Sequence, residues 1–208
     1  MAKSEPGATR RRGPNDPERR ARIAKAAIEV VAQRGIDGVT HRSVAAAAGV
    51  PLGSTTYHFA TLDDLLEVAL HEAAEKNVHA LKEWESALPS DADFAAALAD
   101  LVMGYINEQY RDTVVEYDLY VAALHRPALR KASAAWDEAL IAFFGSRTDP
   151  LTGRLLAGLF CGLLMQAALA DPRPTRAEIE TLFRRAIDGP AACGQAALSC
   201  ESGGCPQG

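Results

Sequence analysis

Cysteine is scarce in this chain: there are four among 208 residues, and three of them, Cys193, Cys200 and Cys205, fall in a Gly-, Ala- and Ser-rich tail. Their spacing matches neither the common zinc-finger nor the iron–sulfur patterns. No basic neighbour lowers their pKa, which argues against oxidant sensing or metal binding without excluding either. Cys161, inside an apolar run, reads as a small core residue. Also missing are a glycine-rich phosphate loop, a nucleophile elbow and a metal-ligand cluster at workable spacing, so no enzyme, cofactor or metal is expected. His71, Glu75 and His79 lie four apart along one face, yet HEAAE ends in Glu75 where the zinc motif HExxH requires histidine. Alternating β-branched segments and internal repeats are lacking too. The charged start runs into no long apolar stretch, so a secretory leader is not expected.

What the chain does have is an uneven charge. Its formal net charge is −5, but residues 1–60 carry +5 and the remainder −10. An acidic protein with a basic amino-terminal module suits a chain of which one part meets phosphate. Arg10, Arg11 and Arg12 stand in a segment, residues 1–16, without apolar periodicity; it reads as a mobile basic arm able to reach a minor groove or phosphates, or as a solvated tail.

Helical signals dominate the rest. Asp16-Pro17-Glu18 opens a first helix that ends near Arg34 and buries Ile23, Ala26, Ala27, Val30 and Val31. Further helices are expected near 62–87, 91–109, 112–124, 127–146, 151–170 and 176–187, with capping pairs at Thr61/Asp64, Ser90/Asp93 and Thr175/Glu178 and a cap at Asp149.

The segment 35–66 is the most specific. Gly35 can end the first helix and Thr40 can cap a short one over 41–48, with Val44, Ala47 and Ala48 on its apolar side. Gly49 supplies a tight turn, Val50 tucks into the angle, and a small Ala45 lets the next helix cross closely. That helix, from about Leu52 to His58, offers Gly53, Ser54, Thr55, Thr56, Tyr57 and His58. Short hydroxyl side chains reach base edges or phosphates, and glycine lets the backbone approach a duplex.

In Thr40, Ala45, Gly49, Val50, Gly53, Tyr57, His58 and Phe59, followed by Thr61, Asp63, Asp64, Leu65 and Leu66, the sequence resembles the TetR family of bacterial transcriptional regulators. The match spans about residues 17–70. Two positions differ: Thr56 stands where an aromatic is usual, and Leu62 where a lysine commonly contacts phosphate. The resemblance implies an all-α fold with an amino-terminal three-helix helix-turn-helix DNA-binding domain (17–61), a larger helical effector-binding and dimerisation domain (62–188) and a tail (189–208). It implies a cytoplasmic homodimer that reads double-stranded, palindromic operator DNA through Thr40, His41, Arg42, the 52–58 helix and Thr61. Repression with release by a small molecule is the expected mode; a regulator without an effector, or an activator, remains open.

Residues 155–170 are apolar on nearly every side and must be covered. Arg154 and Asp171 bracket them, and the run falls short of the ~20 residues needed for a bilayer, so no membrane span is expected. Gly158 and Gly162 would let another helix approach. The resemblance places a subunit interface over 151–187, with Phe160, Leu163 and Phe183 beside the glycines; an intrachain core helix is the alternative. Trp84, Phe94, Met103, Tyr105, Tyr117, Tyr120, His125, Trp136 and Phe144 concentrate the aromatic and soft side chains of the middle helices. With Glu116, Asp118 and Gln166 as orienting groups, they are candidates for an effector pocket, or plain core.

Overall fold

Capping side chains set most helix starts in the computed structural model, which describes residues 17–189. The described residues form nine α-helices and no strand: α1 (Pro17–Arg34), α2 (His41–Ala48), α3 (Leu52–His58), α4 (Leu62–Ala87), α5 (Phe94–Asn107), α6 (Tyr110–Ala122), α7 (Arg130–Arg147), α8 (Pro150–Leu169) and α9 (Arg176–Asp188). The all-α expectation holds. The Asp93 carboxylate accepts the N–H groups of Ala95 and Ala96, so α5 begins at Phe94 rather than at 91. Pro127–Leu129 form a 3-10 turn, which delays α7 to Arg130. The expected cap Asp149 and the Thr175/Glu178 capping box are present.

The helices sort into two compact units. The first runs through Ser86 and returns over Gln109–Ala139; the second comprises Ala87–Glu108 and the chain from Leu140 onward. Three short helices bury too little apolar surface to stand alone, and the first core is completed from outside them. Ile23, Val30, Val31, Val44 and Phe59 close against Leu65, Leu66 and Leu70 of α4 and against Val115 and Leu119 of α6. Leu62 packs partly buried on this core.

In the second unit, α5 and α8 meet through Tyr105 and Phe160, whose rings stand edge to face at 5.9 Å, and Phe144 tilts on Phe160 at 5.6 Å. A close approach between α7 and α8 lies at Gly153: a Cβ there would come within 2.5 Å of the Gly145 nitrogen and 2.6 Å of its Cα. Sequence reasoning looked for such an approach at Gly158 and Gly162. On the outer surface Arg176 pairs with Asp100 and Glu180, and Arg184 with Asp93 and Glu180, tying α9 to α5.

Candidate nucleic-acid interface

The α2-turn-α3 element is locked by capping hydroxyls at one end and by backbone at the other. The Thr40 hydroxyl accepts the Ser43 N–H at 3.0 Å, while the Ser43 hydroxyl accepts the Thr40 N–H at 2.9 Å. At the other end Gly49 takes φ 64° and ψ 35°, a left-handed turn that glycine adopts without steric cost. The Val50 N–H then reaches back to the Ala45 carbonyl at 3.0 Å. Val44 and Ala45 are buried, whereas Ala47, expected on the apolar side, is exposed. Ala45 takes that place, consistent with the small residue expected where the helices cross.

One member of the proposed reading face is a structural residue. Thr55 is fully buried; its hydroxyl donates to the Leu52 carbonyl at 2.8 Å and lies 3.5 Å from the His41 carbonyl. A base edge cannot reach it, so the assignment of Thr55 to base reading is corrected. The outward face of α3 is formed by Leu52, 44% exposed, Gly53, Thr56 and Tyr57, 65% exposed, with Ser54 and His58 half-buried beside them. Tyr57 and His58 stand edge to face at 5.2 Å. Arg42 is exposed on α2, and His41 is half-buried, with Nδ1 enclosed and without a hydrogen-bond partner among the described residues. Thr61 exchanges hydrogen bonds with Asp64, the Thr61 N–H donating at 2.9 Å and the Asp64 N–H returning at 3.1 Å. Its oxygen therefore caps α4.

The structure adds a residue that sequence reasoning missed. Arg19 of α1 joins Pro51, Gly53, Ser54, Tyr57 and His58 around a recess of about 280 Å³. Arg19 thus stands beside α3. The only signal in the sequence was a basic pair at the start of α1. The neighbouring Arg20 turns instead over the Phe59 ring, 5.0 Å from its centroid, which anchors α1 to the end of α3. Arg10, Arg11 and Arg12 lie outside the described residues, as do Cys193, Cys200 and Cys205.

The candidate effector residues divide between the two units. In the first, Tyr117 and Tyr120 stand edge to face at 6.4 Å, the Tyr120 hydroxyl donates to Asp137 at 3.0 Å, and Trp136 lines a cavity of about 370 Å³ with His71 and His79. Trp84 is half-buried and His125 exposed. In the second, Tyr105 and Phe144 are core, Met103 is half-buried, Phe94 lies under Arg147 at 5.4 Å, and Gln166 is exposed on α8. The exposed His71 and His79 face Glu75 and Glu83 at 3.4 and 3.3 Å.

Phe160, Leu163 and Phe183, expected at a subunit interface, are buried within the chain and belong to its own core. Gly158 and Gly162 point the other way, where a Cβ on either would meet nothing within 4 Å. They share that face with Leu151, Leu155 and Leu169, which are 70%, 54% and 83% exposed. Cys161 is half-buried. At 20 residues α8 is long and apolar enough to cross a membrane by length and composition, longer than the run read from the sequence. Its other face, with Leu156, Phe160, Leu164 and Ala167, is buried in the chain.

Two family models match. Residues 23–69 fit the bacterial regulatory proteins of the tetR family, and residues 89–189 the tetracyclin repressor-like C-terminal domain. Among solved structures, the multidrug binding protein EbrR complexed with imidazole is 44% identical with a TM-score of 0.75, over 85% of this chain and 99% of that one. EbrR is also known in complex with ethidium, proflavin and malachite green. The HTH-type transcriptional regulator BetI of Burkholderia thailandensis is 27% identical over 78% of this chain and 88% of its own length. The HTH-type regulator PksA of Bacillus subtilis is 36% identical over 66 residues, 32% of each chain.

Proposed function

The chain belongs to the TetR family of bacterial regulatory proteins and is a DNA-binding transcriptional regulator rather than an enzyme; on that premise we propose that it is a cytoplasmic repressor that binds a palindromic operator as a homodimer and leaves it when a small molecule binds. The observation that carries the reading is the outward face of α3: Leu52, Gly53, Thr56 and Tyr57 are exposed on a helix that Thr55 fastens from within. Such a helix enters a major groove with small polar groups toward base edges and Tyr57, His58 and Arg19 toward phosphates. Thr40 and Thr61 cap the starts of α2 and α4, and a helix N-terminus suits phosphate.

Dimerisation is supported by the open stripe on α8. Leu151, Leu155, Gly158, Gly162 and Leu169 form an apolar band that a second copy would cover, and the isologous contact brings two readers to two half-sites. The ligands of EbrR suggest the effector class, since ethidium, proflavin and malachite green are aromatic organic cations. Selecting bound fragments from genomic DNA tests the reading. An enriched palindrome supports it; recovery without sequence preference contradicts it.

A further inference from the structure

Between α1, α4 and α6, inside the first unit, lies a cavity of about 710 Å³, within the range that holds a small organic molecule. Its walls are apolar, from Ala21, Ile28 and Ala32 of α1, Ala73 of α4 and Val115 of α6. The charged residues around it sort by depth. Arg22, Lys25, Glu29, Lys76, Arg111 and Asp112 are all exposed at the rim, where Lys76 and Asp112 face each other at 3.7 Å. The two half-buried charged groups are both acids, Glu72 and Glu116. The buried Asn77 amide hydrogen-bonds Glu116; the Lys76 charge acts on Glu116 and the Arg20 charge on Glu72, but every lining Lys and Arg is exposed at the rim.

We propose that this cavity binds an amphiphilic organic cation, its charged head against Glu116 and Glu72 and its apolar body against Ile28, Ala73 and Val115. A carboxylate desolvated with only rim cations to offset its charge is costly, and a cation entering from solvent reduces that cost while its ring system covers the apolar walls. An anion would meet two acids at the bottom. The site also bears on the reader. Ala21, Lys25, Ile28 and Ala32 share one face of α1, and the opposite face, with Ile23, Ala27, Val30 and Val31, packs in the core that holds α2 and α3. An occupant of the cavity therefore presses on the helix that supports the reader. By linkage, if the cation lowers operator affinity by some factor, operator lowers cation affinity by the same factor.

The inference rests on the effector-responsive reading above, and its test separates the two. Ethidium fluorescence is titrated with the full chain at pH 8, with Glu116→Gln, which keeps the side-chain shape, and with Ala21→Trp, a substitution at an exposed position that blocks the mouth. Uncharged phenanthridine serves as the neutral control, and binding to the selected operator is measured on the same samples. Ethidium is expected to bind the parent, and each variant to weaken it about tenfold or more, with phenanthridine insensitive to Glu116→Gln and operator binding without ligand retained. Failure of the parent to bind ethidium, or parent-like binding by both variants, overturns the site. If operator is then still bound and released by another ligand, the effector reading stands and only this placement fails. If no operator is bound, the regulatory reading fails, and the ethidium titration still decides the cavity.

Discussion

The Thr55 hydroxyl donates to the carbonyl of Leu52, 2.8 Å away in the same short helix, and is fully enclosed there while both neighbours, Ser54 and Thr56, remain accessible. Of three hydroxyl residues in a row, the middle one thus serves the helix itself. Thr55→Val, which keeps the volume and deletes the hydrogen bond, is expected to cost on the order of 1 kcal/mol of stability and leave base preference unchanged. Ser54→Ala and Thr56→Ala are expected to leave the melting temperature nearly unchanged and relax base preference. Thermal melts together with binding-site selection on the three variants check this; altered base preference in Thr55→Val would contradict it.

Tyr57, His58 and Arg19 surround one recess at the reader's edge. If they hold phosphate, the variants Tyr57→Phe, His58→Ala and Arg19→Ala weaken binding to all duplexes alike. The salt dependence separates charge from neutral hydrogen bonding: Arg19→Ala is expected to make the slope of log affinity against log salt shallower by about 0.9 for the lost contact. Titrations at several salt concentrations measure it. Unchanged slope and affinity in folded Arg19→Ala would remove that residue from the interface.

Gly162 faces open space in the single chain, so a side chain there strains nothing internal and leucine is the better helix former. Gly162→Leu is therefore expected to leave the monomer fold intact or slightly firmer, and to cost association on the order of 1 to 3 kcal/mol through overpacking against a second copy. Analytical ultracentrifugation over a range of concentrations reads the effect. A variant dimerising as tightly as the parent would place the interface elsewhere.

Burial pushes the Glu116 carboxyl up to about 7 from an ordinary 4.5, opposed by the Asn77 hydrogen bond and the Lys76 charge and assisted by Asp112. Arg22, Lys25 and Glu29 of α1, Glu72 of α4 and Arg111 of α6 complete its charged surroundings. Because the folded chain favours the protonated form, this group's contribution to stability is full below about pH 4.5 and is lost as the pH rises through about 7. Glu116→Gln, which resembles the protonated acid, is expected to flatten that decline and gain about 1 to 3 kcal/mol over the parent at pH 8. Denaturant unfolding of both proteins between pH 4.5 and 8 gives the comparison; parallel curves would contradict it.

The helices and their caps were legible because each rests on local chemistry: Thr40, Asp149 and Thr175 bond N–H groups two or three residues away. Gly49 was legible for the same reason. What the sequence concealed depends on distant partners. Thr55 and Ser54 have the same polar character, and only the position of α2 decides which is enclosed. Phe160 and Gly158 share one apolar helix, and the partition of its two faces depends on where α5 and α9 pack. Glu116 could be named as a polar candidate, but its depth arises from α1 and α4, far away in sequence. Arg19 shows the same dependence, since nothing near it announces that α3 ends beside it.

The stoichiometry and affinity of the full chain on its selected operator test the central claim most directly, by sedimentation and titration on the intact palindrome, on one isolated half-site, and on a palindrome with half a helical turn inserted between the half-sites. The account predicts chains bound in pairs to the palindrome, each α3 in a major groove on one side of the duplex, with binding at least about a hundredfold weaker on the half-site and on the rephased palindrome, a loss of roughly 2.7 kcal/mol or more. A single chain binding the half-site as tightly as the palindrome, indifferent to the insertion, would contradict it.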